Sequence, residues 1–327
     1  MHDSNGHGPN GHGPNGHGPN GHGPNGSVQE ASSANGFVVN GHATIDLRDD
    51  ASRRVSVPYQ GVERDLIRVE KVSLVIPTLN EANNIGFVLE RVPDRVDEIV
   101  LVDGHSTDDT IAAARAVRPD VVVVRQRGRG KGAALRSGFE AASGDIIVMM
   151  DADGSMDPAE ILSFVQAIEA GYEFVKGSRC VPGGGSKDLT RLRRFGNRAL
   201  TGAVNMLFLV PFSDLCYGFV AFRQDRLDDL ALTSRGFEFE TEIAIRAIKA
   251  GLRIAEVPSN ESCRRYGTSN LNTFRDGQRV LRMIVRERLI TGPRPVVDCL
   301  RPEDFRAVIP ALASDHNRLR LEGQVQA

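Results

Sequence analysis

The sequence predicts an α/β protein built on a mostly parallel central sheet flanked by helices, and three observations carry that prediction. From Val72 onward, short apolar runs alternate with helical stretches. The spacing leaves room for one crossover helix between successive strands, which implies right-handed strand–helix–strand units with parallel neighbours. Ile146–Met150 is continuously apolar, and Val72–Pro77 is interrupted only by Ser73, rather than alternating, as expected of strands buried on both faces.

Composition sets the outer bounds. A chain of 327 residues holds one large domain or two ordinary ones. A formal net charge of -2 gives no global reason to expect nucleic acid as a partner. Cys180, Cys216, Cys263 and Cys299 form no Cys-X-X-Cys pair, which suits unpaired thiols in a reducing cytoplasm. The N-terminal residues contain no apolar core of the signal-peptide type. The longest apolar stretch, Ala199–Phe212, is broken by Gly202, Asn205 and Pro211 and is too short to span a bilayer. The expected location is therefore cytoplasmic, with room for peripheral contact at the inner face of the cell membrane.

Taken in order, the chain opens with four copies of Asn-Gly-His-Gly-Pro over Asn5–Pro24, a low-complexity tract with nothing to bury. Its regularly spaced histidines suit either a flexible tail or a transition-metal chelator. Residues 1–70 are expected to be a disordered tail, with at most local structure around Val55–Tyr59. Val72–Pro77 is the first buried strand, followed by a helix through Val92 capped by Asn83 or Asn84. Glu98–Asp103 is the second strand, with Ser106 or Thr107 capping a helix over Asp108–Val117. Val121–Arg125 is the third. Gly128-Arg-Gly-Lys-Gly132 opens a helix through Ala142, Asp145–Met150 is the fourth strand, and Asp157-Pro158 starts a helix to Ala170. Further strands are read at Phe174–Gly177, Phe219–Arg223 and Arg253–Val257. Helices are read at Leu192–Phe208, Glu238–Ala250 and Thr273–Thr291, with loops over Val181–Lys187 and Ser259–Asn270. Residues 71–291 form the predicted folded domain. Residues 292–327 are a weakly patterned extension with one helical stretch near Glu303–Leu312.

The densest chemistry lies at the end of the fourth strand, in Met150-Asp-Ala-Asp-Gly-Ser155. On extended backbone, Asp151 and Asp153 project to the same side, so both carboxylates can reach one ion. Ligands bind at the carboxyl ends of strands in open α/β sheets. A hard ion held by two carboxylates and substrate phosphates is the usual setting of Mg²⁺ or Mn²⁺. An EF-hand is excluded, since its required Gly and Glu positions, counted from Asp151, hold Met156 and Leu162.

Several motifs in this order resemble family 2 glycosyltransferases of the GT-A fold. They are Val75-Ile-Pro-Thr-Leu-Asn-Glu81, Leu101-Val-Asp-Gly-His-Ser-Thr-Asp108, Gly130-Lys-Gly132, Asp151-Ala-Asp153 and Gly177-Ser-Arg179. Asp214–Arg223, Gly236-Phe-Glu-Phe-Glu240, Glu256-Val-Pro258 and Arg264-Arg-Tyr-Gly-Thr-Ser269 are similar to the dolichyl- and polyprenyl-phosphate hexosyltransferase subgroup. The resemblance spans Val72–Ile290. Two departures stand out: Gly104-His105 replaces an acidic residue common in relatives, and Ser155 stands where some polyprenyl-phosphate enzymes carry a metal-assisting Gln.

Pro77 ends the first strand and Asn80 and Glu81 follow its tip, where a ribose and base would rest. The resemblance implies that Glu81 and Asp103 bind that nucleoside. Lys131, between glycines at a helix start, suits a diphosphate or a solvated basic turn. The resemblance also assigns Arg179, Arg193 and Arg264 to donor or acceptor phosphates, for which guanidinium forks are suited. Arg275, Arg279, Arg282 and Arg286 share one side of the last helix, while Phe274, Leu281, Ile284 and Val285 largely face elsewhere. That pattern fits either an anionic membrane surface or ordinary packing on the domain.

The implied reaction is metal-dependent, inverting transfer of mannose or glucose from a GDP-mannose or UDP-glucose type donor to a polyprenyl phosphate. Asp151, Asp153, Lys131 and Arg264 would stabilise the leaving diphosphate. A sugar or small-molecule hydroxyl acceptor is the alternative. It needs a carboxylate base, for which Asp214 is the first candidate and Glu240 the second.

Overall fold

The computed structural model describes residues 70–267 and 273–290, together with the backbone of four short strands nearer the N-terminus. The chain divides into two units between Arg68 and Val69. In the first, β1 (Gly36–Val39) pairs antiparallel with β2 (Ala43–Asp46), and β3 (Arg54–Val55) with β4 (Ile67–Arg68). β3 ends at the start of the stretch, Val55–Tyr59, where the sequence reading allows local structure. The histidine repeats, the helix expected near Glu303–Leu312 and Cys299 lie outside the described residues. Cys180, Cys216 and Cys263 carry free thiols.

The second unit holds the central sheet. Its strands are β5 (Val72–Thr78), β6 (Glu98–Asp103), β7 (Val122–Arg125), β8 (Ile146–Met149), β9 (Phe174–Ser178), β11 (Val220–Arg223) and β12 (Ile254–Pro258). They lie in the order β12-β9-β11-β8-β5-β6-β7. All pairings are parallel except those of β11, which runs antiparallel to both β8 and β9. The sheet grows from β5 outward through β6 and β7, then returns to place β8 on the other side of β5. That reversal is a topological switch point, where a crevice opens beyond the strand ends.

Eight α-helices flank the sheet among the described residues: α1 (Ala82–Leu89), α2 (Thr110–Val117), α3 (Lys131–Ala141), α4 (Ile161–Glu169), α5 (Arg191–Phe208), α6 (Leu227–Leu230), α7 (Phe239–Lys249) and α8 (Thr273–Leu289). Two cores result because successive strand side chains point to opposite faces. Leu74, Ile76 and Val148 join Ile85 of α1 and Phe164 of α4 on one face. Val75, Ile147 and Met149 join Phe139 of α3, Ile243 of α7 and Ile284 of α8 on the other. Phe164 stacks on Phe219 at 4.3 Å in the first core, and Phe139 meets Phe222 edge-on at 5.0 Å in the second.

Two helix starts, those of α1 and α2, differ from the sequence reading for one reason: the loops after β5 and β6 bond to each other instead of capping locally. Ser106 Oγ accepts from Asn80 N at 3.0 Å, and Asn80 Oδ1 accepts from Thr107 N at 2.8 Å. Neither Ser106 nor Thr107 caps α2, whose first turn is bonded through Asp108 Oδ1 to Thr110 N at 3.1 Å. Asn84 is buried in α1 rather than capping it. Asp157 does cap, accepting from Ala159 N at 3.0 Å, but over a 3₁₀ turn, Pro158–Glu160, that precedes α4. The loop expected over Val181–Lys187 contains β10 (Gly185–Ser186), which forms a two-residue parallel ladder with β13 (Asn260–Glu261).

Candidate active site

The sheet delivers its chemistry to one edge. The carboxyl ends of β5, β8, β9 and β12 lead into Leu79–Glu81, Met150–Asp153, Arg179 and Asn260–Arg264. Because β11 runs the other way, the residues before it, Cys216-Tyr-Gly218, reach the same edge. The start of α3 adds Gly130 and Lys131.

Two cavities meet there. The larger, of about 600 Å³, includes Pro77, Glu81, Gly104, His105, Gly130 and Arg129 in its lining. The smaller, of about 230 Å³, is walled by Arg179, Arg193, Asn197, Leu200, Glu240 and Val280, among others. Lys131, Asp151, Asp153, Phe237 and Arg264 line both. The Asp-X-Asp pair therefore stands at the junction of a nucleotide-sized space and a narrower one with apolar walls.

Ion pairs tie the junction together. Lys131 Nζ lies 2.5 Å from Asp151 Oδ1 and 2.7 Å from Glu240 Oε1. Arg264 forks between loops far apart in sequence, Nη1 to Glu81 Oε1 and Nη2 to Asp153 Oδ2, both at 2.9 Å. Asp153 Oδ1 accepts from Ser155 N at 2.9 Å, and Glu81 Oε2 from Asn84 Nδ2 at 2.5 Å. The segment carrying Arg264 is fastened over Asp153: Arg265 N donates to Asp153 O at 3.2 Å, Ser262 N to Ser155 O at 2.8 Å, and the Arg265 guanidinium lies 4.0 Å from the Phe87 ring.

Local geometry fixes Lys131. Gly130 adopts φ 97°, and a Cβ there would stand 2.3 Å from the Arg235 carbonyl oxygen. The glycine lets the backbone turn into α3 while touching the loop before α7, where Gly132 N donates to the same oxygen at 2.9 Å. A Cβ at Gly218 would fall 2.8 Å from Glu240 Oε1 and 3.0 Å from Lys131 Nζ, so that position must also be bare.

Four carboxylates, of Glu81, Asp151, Asp153 and Glu240, face two cations, Lys131 and Arg264. Burial pushes the Asp151 carboxyl up; Lys131 pulls it down, Asp153 and Glu240 push it up again, and the balance is about 6. Such a deficit of positive charge is what one divalent ion would cancel, and the all-oxygen donors suit Mg²⁺ or Mn²⁺. No cluster of three His, Cys, Asp or Glu ligands forms among the described residues. Asp151 and Asp153 would hold the ion, and water and ligand phosphates would complete its shell.

Of the residues expected from sequence, Pro77, Glu81, Lys131, Asp151, Asp153 and Arg264 line the larger cavity, and Arg179 and Arg193 the smaller. Asn80 and Asp103 are not brought to either. Asn80, at φ 58°, spends its amide oxygen on the Thr107 backbone, and buried Asp103 accepts from Ser106 N at 3.0 Å. Both shape the rim that Gly104 and His105 present.

Asp214, expected as a base, is corrected. It is fully buried and its oxygens are taken by Arg179 Nε at 2.7 Å, Arg179 Nη2 at 3.0 Å, Arg179 N at 3.1 Å and Asn197 Nδ2 at 2.8 Å. Burial pushes this carboxyl up, but the hydrogen bonds and charge of Arg179 outweigh it and hold it below the ordinary range. Asp214 positions Arg179; it lines neither of the two cavities. Arg179 also donates to Glu261 Oε2 at 3.0 Å and Cys216 O at 2.9 Å, so most of its fork is committed to the protein. Arg193 is held more loosely, 3.5 Å from Asp188.

Sequence reading missed Asn84, which braces Glu81, and Glu261, which braces Arg179. Neither carried a signal, since each acts through a contact distant in sequence or inside a helix. Glu240 was legible in Gly236-Phe-Glu-Phe-Glu240, though not as the partner of Lys131.

The fold and this junction define a GT-A glycosyltransferase. The family model for glycosyl transferase family 2 matches residues 73–231. The chain is 32% identical over 230 residues to glycosyltransferase AglJ of Haloferax volcanii, covering 68% of this chain and 74% of that one. It is 32% identical over 237 residues to the polyprenol monophosphomannose synthase of Mycolicibacterium smegmatis, covering 67% and 89%. Among solved structures it is similar to glucosyl-3-phosphoglycerate synthase from Mycobacterium tuberculosis in complex with Mn²⁺, UDP-glucose and phosphoglyceric acid. That match has 26% identity and a TM-score of 0.55, and covers 68% of this chain and 81% of that one. The chain belongs to glycosyl transferase family 2.

Proposed function

We propose that this glycosyltransferase moves a hexose from a nucleotide diphosphate sugar to the phosphate of a polyprenyl phosphate. The carrying observation is the pair of cavities joined at Lys131, Asp151, Asp153 and Arg264. The larger is the donor space: Glu81 faces the ribose and base, and Lys131 and Arg264 meet the diphosphate at the junction. The smaller is the acceptor space, where Arg179 and Arg193 supply guanidinium groups and Met156, Leu189, Leu200 and Val280 supply apolar wall. A phosphate joined to a hydrocarbon chain matches that combination. The similarity to a polyprenol monophosphomannose synthase supports the same acceptor.

The acceptor phosphate is already an anion near neutral pH, so no protein base is needed. Its oxygen bonds to the anomeric carbon as the bond from that carbon to the donor diphosphate breaks, inverting the configuration. Arg193, with Arg179 held rigid behind it, orients the nucleophile. Lys131 and Arg264 receive the charge that develops on the departing nucleoside diphosphate. A bound Mg²⁺ or Mn²⁺ would supply Lewis-acid neutralisation of that same charge.

A second reading has a soluble acceptor. The likeness to a structure holding UDP-glucose and phosphoglyceric acid favours it. For a hydroxyl nucleophile the base would be Glu240, which lines the acceptor space, and not Asp214. The test is nucleoside diphosphate release from GDP-mannose, UDP-glucose and UDP-GlcNAc with Mn²⁺, each with and without a short polyprenyl phosphate. Lipid-dependent release that disappears in Asp153→Ala supports the phosphate acceptor. Donor turnover indifferent to lipid but driven by a small phosphorylated hydroxy acid supports the second reading.

A further inference from the structure

Helices α5 and α8 pack against each other and present more apolar surface than the domain uses. On α5 the packed side carries Asn197, Thr201 and Val204. Leu192, Phe195, Met206 and Leu209 instead face solvent, with exposed Ala199 and Gly202 between them. From Leu192 to Met206 these positions step by three and four residues, so they form one line along the helix, and Leu209 is its exposed left-handed C-cap. On α8 the packed side carries Val280, Met283, Ile284 and Glu287, yet Phe274, Leu281, Val285 and Leu289 lie outside it. At 100° per residue this second line occupies an arc of about 80°. The large apolar side chains of the two lines are 47% to 80% exposed.

Arginines flank both lines. Arg191, Arg194 and Arg198 run beside the line on α5, and Arg275, Arg279, Arg282 and Arg286 beside that on α8. Three of the α8 arginines join Arg129 and Arg235 around a groove of about 620 Å³, with Glu238 as the acid in its lining. Arg129, Arg235, Arg282 and Arg286 have no ion-pair partner among the described residues. Arg279 is shared with Asp276 at 3.2 Å.

We infer that the α5–α8 face docks on an anionic lipid surface, with the two apolar lines entering the acyl boundary and the arginine groove taking headgroup phosphates. An apolar line edged by cations is the pattern of helices that lie in a membrane interface. A solvated basic face does not explain Phe195, Met206, Phe274 and Leu289 left in water, and contiguous exposed apolar surface marks an interaction site. A second copy of the chain is a poorer occupant, because it would bring like-charged arginine ridges together. Nucleic acid would satisfy the arginines but leave the aliphatic lines uncovered. No helix among the described residues is long and apolar enough to cross a membrane, so this face would lie on the bilayer. The same two helices supply Gly196, Leu200, Gly277 and Val280 to the wall of the smaller cavity. A lipid-borne phosphate would therefore arrive beside its subsite. That last consequence rests on the proposed acceptor; docking itself does not.

The chain contains no Trp, so Phe274→Trp in the full-length protein is a unique reporter. With vesicles of phosphatidylcholine mixed with phosphatidylglycerol, its emission is expected to shift to the blue and to be quenched by brominated acyl chains. Pure phosphatidylcholine should give a much weaker response, and added salt should reduce the response to mixed vesicles. In co-sedimentation, Phe195→Asp with Leu281→Asp, and separately Arg282→Ala with Arg286→Ala, should each lower partitioning about tenfold or more. Thermal midpoints should not change, because these side chains are exposed. Absence of binding to mixed vesicles, or unquenched emission from the bound protein, overturns the inference. So does vesicle-independent dimerisation that the aspartate variant abolishes, which would make this face a contact between copies.

Discussion

Replacing Arg264 probes the junction at its most connected point. Its guanidinium joins Glu81 to Asp153 at 2.9 Å on each arm. Two of five N–H donors are used, and the remainder stay available to a ligand in the cavities it lines. Arg264→Ala leaves four carboxylates facing Lys131 alone. Arg264→Lys restores a charge but not a fork, and one ammonium cannot span both loops. A charge-assisted hydrogen bond is worth about 1.5–3 kcal/mol, and loss of one donor to developing charge costs about 10²–10³ in rate. We therefore expect kcat/KM for nucleoside diphosphate release to fall about 10²–10³-fold in the Ala variant and nearly as far in the Lys variant. Stability should change little, because the side chain is 23% exposed and its partners can rehydrate. A kcat/KM within about threefold of the parent, in protein with an unchanged melting transition, would refute the assignment of Arg264 to the leaving diphosphate.

Three further outcomes follow from the geometry. Asp214→Asn should destabilise the protein by about 3 kcal/mol, seen as a lower Tm, because buried Arg179 loses its principal counter-charge. If Asp214 were instead the base, Tm would hold and the acid limb of the pH–rate profile would vanish. Burial pushes the Glu256 carboxyl, which accepts from Ser213 N, up to about 7. The folded state thus keeps a proton that the unfolded chain has released, and stability should decline as pH rises from about 4.5 to 7, by at most about 3 kcal/mol. Denaturant titrations of Glu256→Gln should lack that slope; an identical slope would contradict the assignment. Gly130→Ala places a Cβ against the Arg235 carbonyl at φ 97°, and should cost at least about 1–2 kcal/mol in stability along with most donor turnover. A neutral outcome in both measurements would show that Lys131 does not depend on this contact.

The parallel half of the fold was legible because its signals are local. Apolar runs such as Ile146–Met149 and the spacing of the crossover helices fix strand identity and direction together. The direction of β11 was not legible, since an apolar run reads the same either way and the link from α5 to Val220 contains no crossover helix. At the site, Asp151, Asp153 and Lys131 could be found from short motifs at strand and helix ends. The bracing residues could not. Asn84 sits inside a helix, Glu261 lies 82 residues from the Arg179 it holds, and nothing local separates a buried Asp214 from an exposed one. The α8 pattern was legible only as fitting either a membrane surface or ordinary packing, and the exposed line on α5 was hidden, because a helical pattern does not tell which of two apolar faces the domain will cover.

In the proposed mechanism donor and acceptor occupy separate cavities sharing one floor. Steady-state kinetics with donor and polyprenyl phosphate varied independently test it directly, using Arg193→Ala for the smaller cavity and Glu81→Ala for the larger. Arg193→Ala should raise the acceptor KM about tenfold or more while the donor KM stays within about twofold, and Glu81→Ala should do the reverse. Equal effects of both substitutions on both KM values, or an exchange of the two patterns, would contradict it.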